Sequence, residues 1–325
     1  MHPNLISCYR PSPWSYRKWI CKKYMELICV QSKTVSEFLK QFLPWADREM
    51  DSMLPIVEGY PKNYYAWSHK IFIVQVLLQH YKELIVKVKA PMDVDDDEST
   101  IQLHQQQIWD FLLHQVKWST EEWLPTHVSD HSAVHYGATV LQLLVHFHIE
   151  ANDPSNSTQQ QKSNDMITSK LVSCTAALDT IQSERIKIAK LIVQYPKHES
   201  LWLYRRYCCL IFLSVVAKML CENTVNRNMS TMDTNKQPLA VQSRIVDILN
   251  QHIRDEIAFL IKFDKDFYAM ALSQWLYFHL LRLKLLSFLH LDILQSLEDL
   301  KMVVRNNICL SDDNHSNMWT YFSEM

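Results

Sequence analysis

Apolar positions recur every three to four residues through most of this chain. Trp67, Ile71, Val74 and Leu78 follow one another at the spacing of a single helix face. Asn63, just before that run, is a suitable cap for the helix. The same periodicity, read with start and stop residues, predicts more helices. Ser12-Pro13 opens the first, because serine caps well and proline suits the first turn. Thr34-Val35-Ser36-Glu37 has capping-box spacing. A helix is expected over 45–58, bent near Pro55 and stopped at Gly59-Tyr60-Pro61. Residues 101–118 read as the partner of the helix after Asn63. Asp130 caps a helix through Ile149, and residues 184–194 form one that stops at Tyr195-Pro196. A further helix starts near His198, and the stretches 241–263 and 267–289 close the set. No strand pair is expected.

Three stretches interrupt the periodicity. The acidic run over 93–98 reads as a solvated loop. Residues 152–164, rich in Ser, Asn and Gln, have too little apolar content to pack and read as a flexible insertion. The stretch from Cys221 to Gln237 has the same character. The expected organisation is one helical-repeat domain over 1–300, with insertions near 90–100, 152–165 and 222–238, and a tail over 301–325.

Composition sharpens this picture mainly through glycine. Only Gly59 and Gly137 occur in 325 residues. Phosphate loops, nucleophile elbows and tight hairpins need glycine's left-handed backbone, so the common nucleotide-binding and hydrolase signatures are absent. Scarce glycine beside abundant Leu, Gln, Lys, Glu and Met favours helix. A net charge of −2 with 21% charged residues gives no basic footprint for nucleic acid. The longest apolar run, near residues 208–217, is shorter than the ~20 residues that span a bilayer, and the start lacks a signal-peptide pattern. No transmembrane segment is expected and the location reads as cytoplasmic. Eight cysteines without a CxxC pair read as reduced, mostly buried thiols.

Two distant stretches share a pattern. Tyr60-Pro61-Lys62-Asn63-Tyr64-Tyr65-Ala66-Trp67-Ser68-His69-Lys70 is echoed by Tyr195-Pro196-Lys197-His198-Glu199-Ser200-Leu201-Trp202-Leu203-Tyr204-Arg205. Trp14 and Arg17 begin a shorter copy, and residues 130–137 a degenerate one with Val134 at the tryptophan place. The aligned positions 14, 67, 134 and 202 are 53, 67 and 68 residues apart. A helix pair needs roughly 35–45 residues, and the polar insertions account for the excess. Repeats therefore start near 12, 62, 129 and 197, with a worn copy near 266. Stacked helix pairs of this kind make a solenoid.

Asn63-Tyr64-Tyr65-Ala66-Trp67-Ser68-His69-Lys70, followed by further Trp-x-x-Arg units, resembles the repeat of protein prenyltransferase alpha subunits. The block from His127 to Tyr136 and the copy at Tyr195–Trp202 strengthen the likeness, which covers about residues 12–212. The resemblance implies an all-α fold, a right-handed α-α superhelix. It implies a subunit role in a heterodimer, with the catalytic zinc and the geranylgeranyl diphosphate held by a separate beta subunit of the Rab geranylgeranyltransferase type. The implied reaction moves a geranylgeranyl group to a cysteine near the C-terminus of a protein substrate. It also implies more chain before the first strong repeat than this sequence carries. A repeat scaffold without transferase activity is the alternative.

Candidate residues follow. Trp14, Trp67 and Trp202 read as helix-pair packing, since tryptophan buries a large area. Arg17, Lys70 and Arg205, one turn later on the same face, read as bonded to the preceding turn or a neighbouring carboxylate, or else as facing a partner. Lys62 matches by position the lysine that reaches the diphosphate in farnesyl-type alpha subunits, where it would neutralise charge on the leaving group. Lys197 repeats it in a copy with no such role, so a solvated surface lysine is the competing reading. His69, Asp130, His131, His135, Tyr136 and Glu199 are the candidates for a partner or substrate interface. His127, His131 and His135 do not read as a metal set: the outer two would lie ~12 Å apart along a helix. No metal or cofactor is expected on this chain.

Overall fold

Thr34 opens its helix as predicted, with one change. Its Oγ1 accepts from the Glu37 amide at 3.2 Å, while the Glu37 carboxylate accepts from the Lys33 amide at 2.7 Å, one residue beyond the Thr34 amide of the usual reciprocal bond. The computed structural model describes residues 11–60, 62–88, 98–151, 163–229, 236–263 and 266–309, and among them every regular element is helical. Packing divides these helices into two compact units, where the sequence reading placed a single domain over 1–300. The first unit, within residues 1–156, holds α1 (Pro11–Gln31), α2 (Val35–Asp51), α3 (Leu54–Gly59), α4 (Tyr64–Val88), α5 (Glu98–Lys117) and α6 (His131–Ala151). The second, within 157–325, holds α7 (Ser163–Gln194), α8 (Glu199–Met229), α9 (Lys236–Ile261), α10 (Phe267–Arg282) and α11 (Leu291–Cys309).

The boundaries show where local chemistry overrode periodicity. The helix expected over 45–58 is broken rather than bent. Pro55 cannot donate to the carbonyl of Asp51 and crowds it, so α2 ends at Asp51 and α3 restarts with Pro55 in its first turn. Neither left-handed turn among the described residues uses glycine. Lys62 (φ 64°) and Lys284 (φ 57°) fill them instead. Lys284 ends α10 in a Schellman arrangement: its amide bonds Leu281 O at 3.0 Å, and the Leu285 amide bonds Leu280 O at 2.9 Å. The helix expected over 267–289 therefore stops at Arg282, and the chain turns through a short 3-10 segment at Leu286–Phe288. The Asn250 amide ties this turn down, donating to Phe288 O and accepting from the His290 amide.

Three further differences concern the interruptions. α8 continues to Met229 and α9 starts at Lys236, so both reach into the insertion expected near 222–238. α11 extends to Cys309, beyond the expected domain end at 300. Residues 93–97 and 152–162 lie outside the described residues. By length and composition, the Glu199–Cys221 part of α8 could cross a membrane, which the sequence reading missed. Its apolar window is 67% buried inside the unit, as in the core helix of a globular domain.

Candidate functional site

The turn before α4 is built by two polar residues. Asn63 is buried and its Oδ1 accepts from the Ala66 amide at 3.2 Å, which caps α4. Lys62, in the left-handed region, exposes its side chain while its carbonyl accepts from Ser132 Oγ at 3.4 Å. Asp130 caps α6 in the same manner, accepting from the amides of Ser132 and Ala133 and from Trp123 Nε1. The starts of α4 and α6 therefore lie together, and Lys62, Tyr64, His131 and His135 are exposed at that end.

The motif itself has a different partner in each copy. In α1, Trp14 is buried against His69, and Arg17 makes a forked pair with Glu49 of α2 at 2.6 and 2.9 Å. In α8, Trp202 donates to Pro196 O at 2.7 Å and packs on Phe259 and Phe263. Arg205 forks onto Glu256 of α9 at 2.7 and 2.8 Å, and Arg185 of α7 joins the same carboxylate at 2.9 Å. All three of those charged side chains are buried. In α6 the motif places hold Val134 and Gly137, both buried, with no charge to pair.

The α4 copy breaks the pattern. Lys70 is buried, and among the described residues no carboxylate bonds it. Its Nζ sits 3.9 Å from the centre of the Trp118 ring and 5.5 Å from those of Trp67 and Tyr136. Burial pushes Lys70 down to about 7, with Asp51 opposing from a distance. The cage is tight: Trp67 meets Trp118, Trp123 and Tyr136 within 5.9 Å, and His127 stacks on Trp123 at 3.8 Å. A π-helical turn, Trp118–Trp123, delivers the two added tryptophans, and such turns are frequent at functional sites. The expectation that Lys70 bonds a nearby carboxylate or turn is corrected: ring faces hold it.

Half of the expected interface residues lie inside the first unit. His69 and Tyr136 are fully buried and Asp130 nearly so. Tyr136 donates to Gln115 Oε1 at 2.8 Å, and burial pushes its hydroxyl well above its ordinary range. These side chains are used up in packing, which corrects their placement on a partner surface. His131, His135 and Glu199 are exposed. Glu199 occupies the first turn of α8, where a carboxylate suits the helix dipole.

One cluster brings metal-type donors together. Cys21 Sγ lies 3.6 Å from Glu49 Oε1 and 4.0 Å from His69 Nε2, and the latter two atoms are 2.7 Å apart. Burial, then Glu49, pushes the Cys21 thiol up to about 12. Burial alone would raise Glu49, but hydrogen bonds from His69 and Arg17 bring it down to about 2. Burial lowers His69 despite the carboxylate, so a neutral imidazole donates Nε2–H to an ionised Glu49. Arg17 already supplies the cation here, and the donors fit an ion-pair network better than a metal site. Glu49, Glu256, Arg185, Trp118 and Trp123 went unnoticed in the sequence. The acid partners lie 32 residues after Arg17 and 51 after Arg205, so no fixed spacing marks them.

The model of the protein prenyltransferase alpha subunit repeat matches residues 46–77 and 181–212. The chain carries protein prenyltransferase alpha subunit repeats. Each match covers the end of one helix, a turn and the start of the next motif helix: α2, α3 and α4 in the first, α7 and α8 in the second. The fold is therefore of the α-α solenoid type. Over 214 residues the chain is 24% identical to protein prenyltransferase alpha subunit repeat-containing protein 1-B of Xenopus laevis, covering 60% of this chain and 42% of that protein. It is 26% identical over 215 residues to protein prenyltransferase alpha subunit repeat-containing protein 1 of Danio rerio, covering 61% and 42%. The Homo sapiens protein of the same name is 24% identical over 210 residues, covering 61% and 45%. The match thus spans less than half the length of these curated relatives. No solved structure matches.

Proposed function

We propose that this chain acts as the alpha-like subunit of a protein prenyltransferase. It would brace a separate beta subunit of the Rab geranylgeranyltransferase type, in the cytoplasm. The observation that carries this reading is the repeat match at 46–77 and 181–212, with the motif tryptophans buried at each motif helix that keeps one. In the proposed reaction a substrate cysteine thiolate attacks the first carbon of geranylgeranyl diphosphate. A thioether forms and diphosphate leaves. Zinc and the isoprenoid belong to the beta subunit.

Lys62 is this chain's own contribution to that step. Its ammonium is exposed beside the start of α4, and its left-handed backbone fixes where the side chain leaves the turn. A non-glycine residue held there costs about 1–3 kcal/mol, and such strain gathers at functional positions. An ammonium at the mouth of the partner's site would neutralise charge on the departing diphosphate.

Co-expression with a Rab-type beta subunit tests the reading. Co-purification of the pair, with transfer of labelled geranylgeranyl to a protein ending in cysteine, is the expected result. Failure of the two chains to associate would refute it. A second reading, a repeat scaffold without transferase activity, draws on the α6 copy, where Val134 and Gly137 replace the tryptophan and the cation. Association without transfer would favour that alternative.

A further inference from the structure

In the second unit Arg185 and Arg205 grip Glu256, and Arg254 bonds Asp292. Arg206 of α8 and Arg282 of α10 are treated differently: among the described residues no carboxylate bonds either. The sequence explains this. α10 contains no acidic residue, and α8 has none between Glu199 and Glu222. Rings take the place of acids. The Arg206 guanidinium lies 5.6 Å from the centre of the Trp275 ring. His279 stacks on Trp275 at 4.0 Å, and its Nδ1–H donates to Trp275 O at 3.0 Å. The charges of Arg206 and Arg282 both act on the His279 ring, so the three basic side chains share one patch.

The patch is apolar as well as basic. Trp275, Phe278, His279 and Arg282 follow one another at the spacing of a single helix face. Phe278 is 46% exposed and Leu281 53%. Tyr277 faces α11, where Lys301 Nζ sits 4.6 Å from the centre of its ring. Leu281, one turn after Tyr277, therefore carries apolar surface from the α11 side towards Phe278, then Trp275, and finally Arg206 of α8. A band of rings and cations with no acid of its own suits a segment that brings carboxylates and aromatic side chains.

We propose that residues 310–325 of this chain are that segment, laid as a strap across α10 from α11 to α8. They carry Asp312, Asp313 and Glu324 and no lysine or arginine, and Trp319, Tyr321 and Phe322 fall within four positions. The acids complement Arg206 and Arg282, and the rings complement Trp275 and Phe278. The tether permits the contact. α11 folds back on α10 through the turn at 283–290. Cys309 comes eight residues after Lys301, about 12 Å further along α11, which sets it beside the first half of α10. From there to Arg282 is roughly 20 Å, whereas the extended segment reaches roughly 50 Å. Attachment holds the segment at a high effective concentration, so surface pairs that are individually weak suffice.

The test is a photo-cross-link in the purified full chain, with p-benzoylphenylalanine in place of Phe278 and the product mapped by peptide mass spectrometry. The expected product joins position 278 to a residue within 310–325, in a yield that holds on dilution from about 10 to about 0.1 µM, as an intramolecular contact must. Arg206→Glu with Arg282→Glu should lower that yield several-fold at unchanged helical signal. Asp312→Arg with Asp313→Arg alters no side chain of the described fold and should do the same. The four changes together should restore the yield. Arg244→Glu, an exposed charge on α9 outside the patch, should leave it unchanged. No product within 310–325 overturns the proposal and leaves the face to a separate acidic partner. A yield that falls on dilution also overturns it, because the segment would then come from a second copy. So does a yield that the Asp312, Asp313 changes do not lower.

Discussion

Arg205 in α8 and Lys70 in α4 hold the same place in the same repeat, and their surroundings are opposite. Arg205 meets a buried carboxylate, Glu256, that a second arginine also grips. Lys70 meets aromatic faces, with the charge of Asp51 opposing the effect of burial. The tryptophan three residues earlier is buried in both. The repeat thus specifies a large ring and a cation one turn later, while residues outside it decide how that cation is neutralised. After α8 the following helix, α9, brings an acid, as α2 does for Arg17 of α1. After α4 the following helix, α5, runs instead into a π-helical turn carrying tryptophan.

The largest effect should come from removing the acid. Glu256→Leu leaves Arg205 buried without a counter-charge and Arg185 with only the part-exposed Asp255 carboxylate at 3.3 Å, which costs about 3–5 kcal/mol. Urea unfolding should show that loss, with protection from hydrogen exchange falling across α7, α8 and α9. A variant as stable as the natural chain would mean that this node resembles the Lys70 node after all. Trp67→Ala should cost a similar ~3–5 kcal/mol, because it empties the centre of the cage formed by Trp118, Trp123 and Tyr136. Its damage should appear in the first unit, as lost exchange protection in α4, α5 and α6. Loss of protection confined to α7–α11 would contradict the packing described.

The contrast explains what the sequence could reveal. Helices, the repeat and the buried tryptophans were legible because periodicity and capping act over a few residues. Asn63 and Asp130 cap as their types suggest. Glu49 and Glu256 were not legible, since an acid on the next helix has no fixed offset when loops vary in length. Nor could the character of Lys70 be read, because a Lys-for-Arg exchange looks conservative until Trp118 is found above it. The end of α10 was blurred for a related reason, whereas α3 stops at Gly59 as expected. Glycine is the usual left-handed signal, and in this chain lysine fills both described left-handed positions.

Lys70→Met should turn the comparison into a pH experiment. The folded protein holds Lys70 near 7, below the ordinary 10.5 of an unfolded lysine. Between those values the unfolded chain binds the extra proton, so this site's penalty is full below about 7 and fades as pH rises towards 10.5. The variant should therefore gain stability at pH 6, by about 1 kcal/mol or more, and the gain should shrink by pH 10. The Trp118 ring works against this gain by stabilising the charged form. Arg205→Met should do the reverse at every pH from 6 to 10, destabilising because the buried Glu256 loses the forked pair and keeps only the Arg185 bond. Parallel stability profiles for the two variants would erase the distinction between the nodes.

The smallest effects concern the two left-handed lysines, which separate backbone strain from chemistry. Lys62→Gly and Lys284→Gly both place glycine at a positive φ. Relief of strain, less the larger chain entropy of glycine, should leave each variant within about 1 kcal/mol of the natural chain and more often above it. Stability therefore should not tell them apart. Transfer should, in a complex with the beta subunit. Removing the Lys62 ammonium takes away a charge whose benefit grows as diphosphate leaves, so single-turnover transfer should fall ~10-fold. Lys284 ends α10 in the second unit, outside the set of residues at the start of α4, and its replacement should leave the rate unchanged. Equal rates for the two variants would return Lys62 to the role of an ordinary surface lysine. A slow Lys62→Gly with normal association would place its ammonium at the reacting diphosphate.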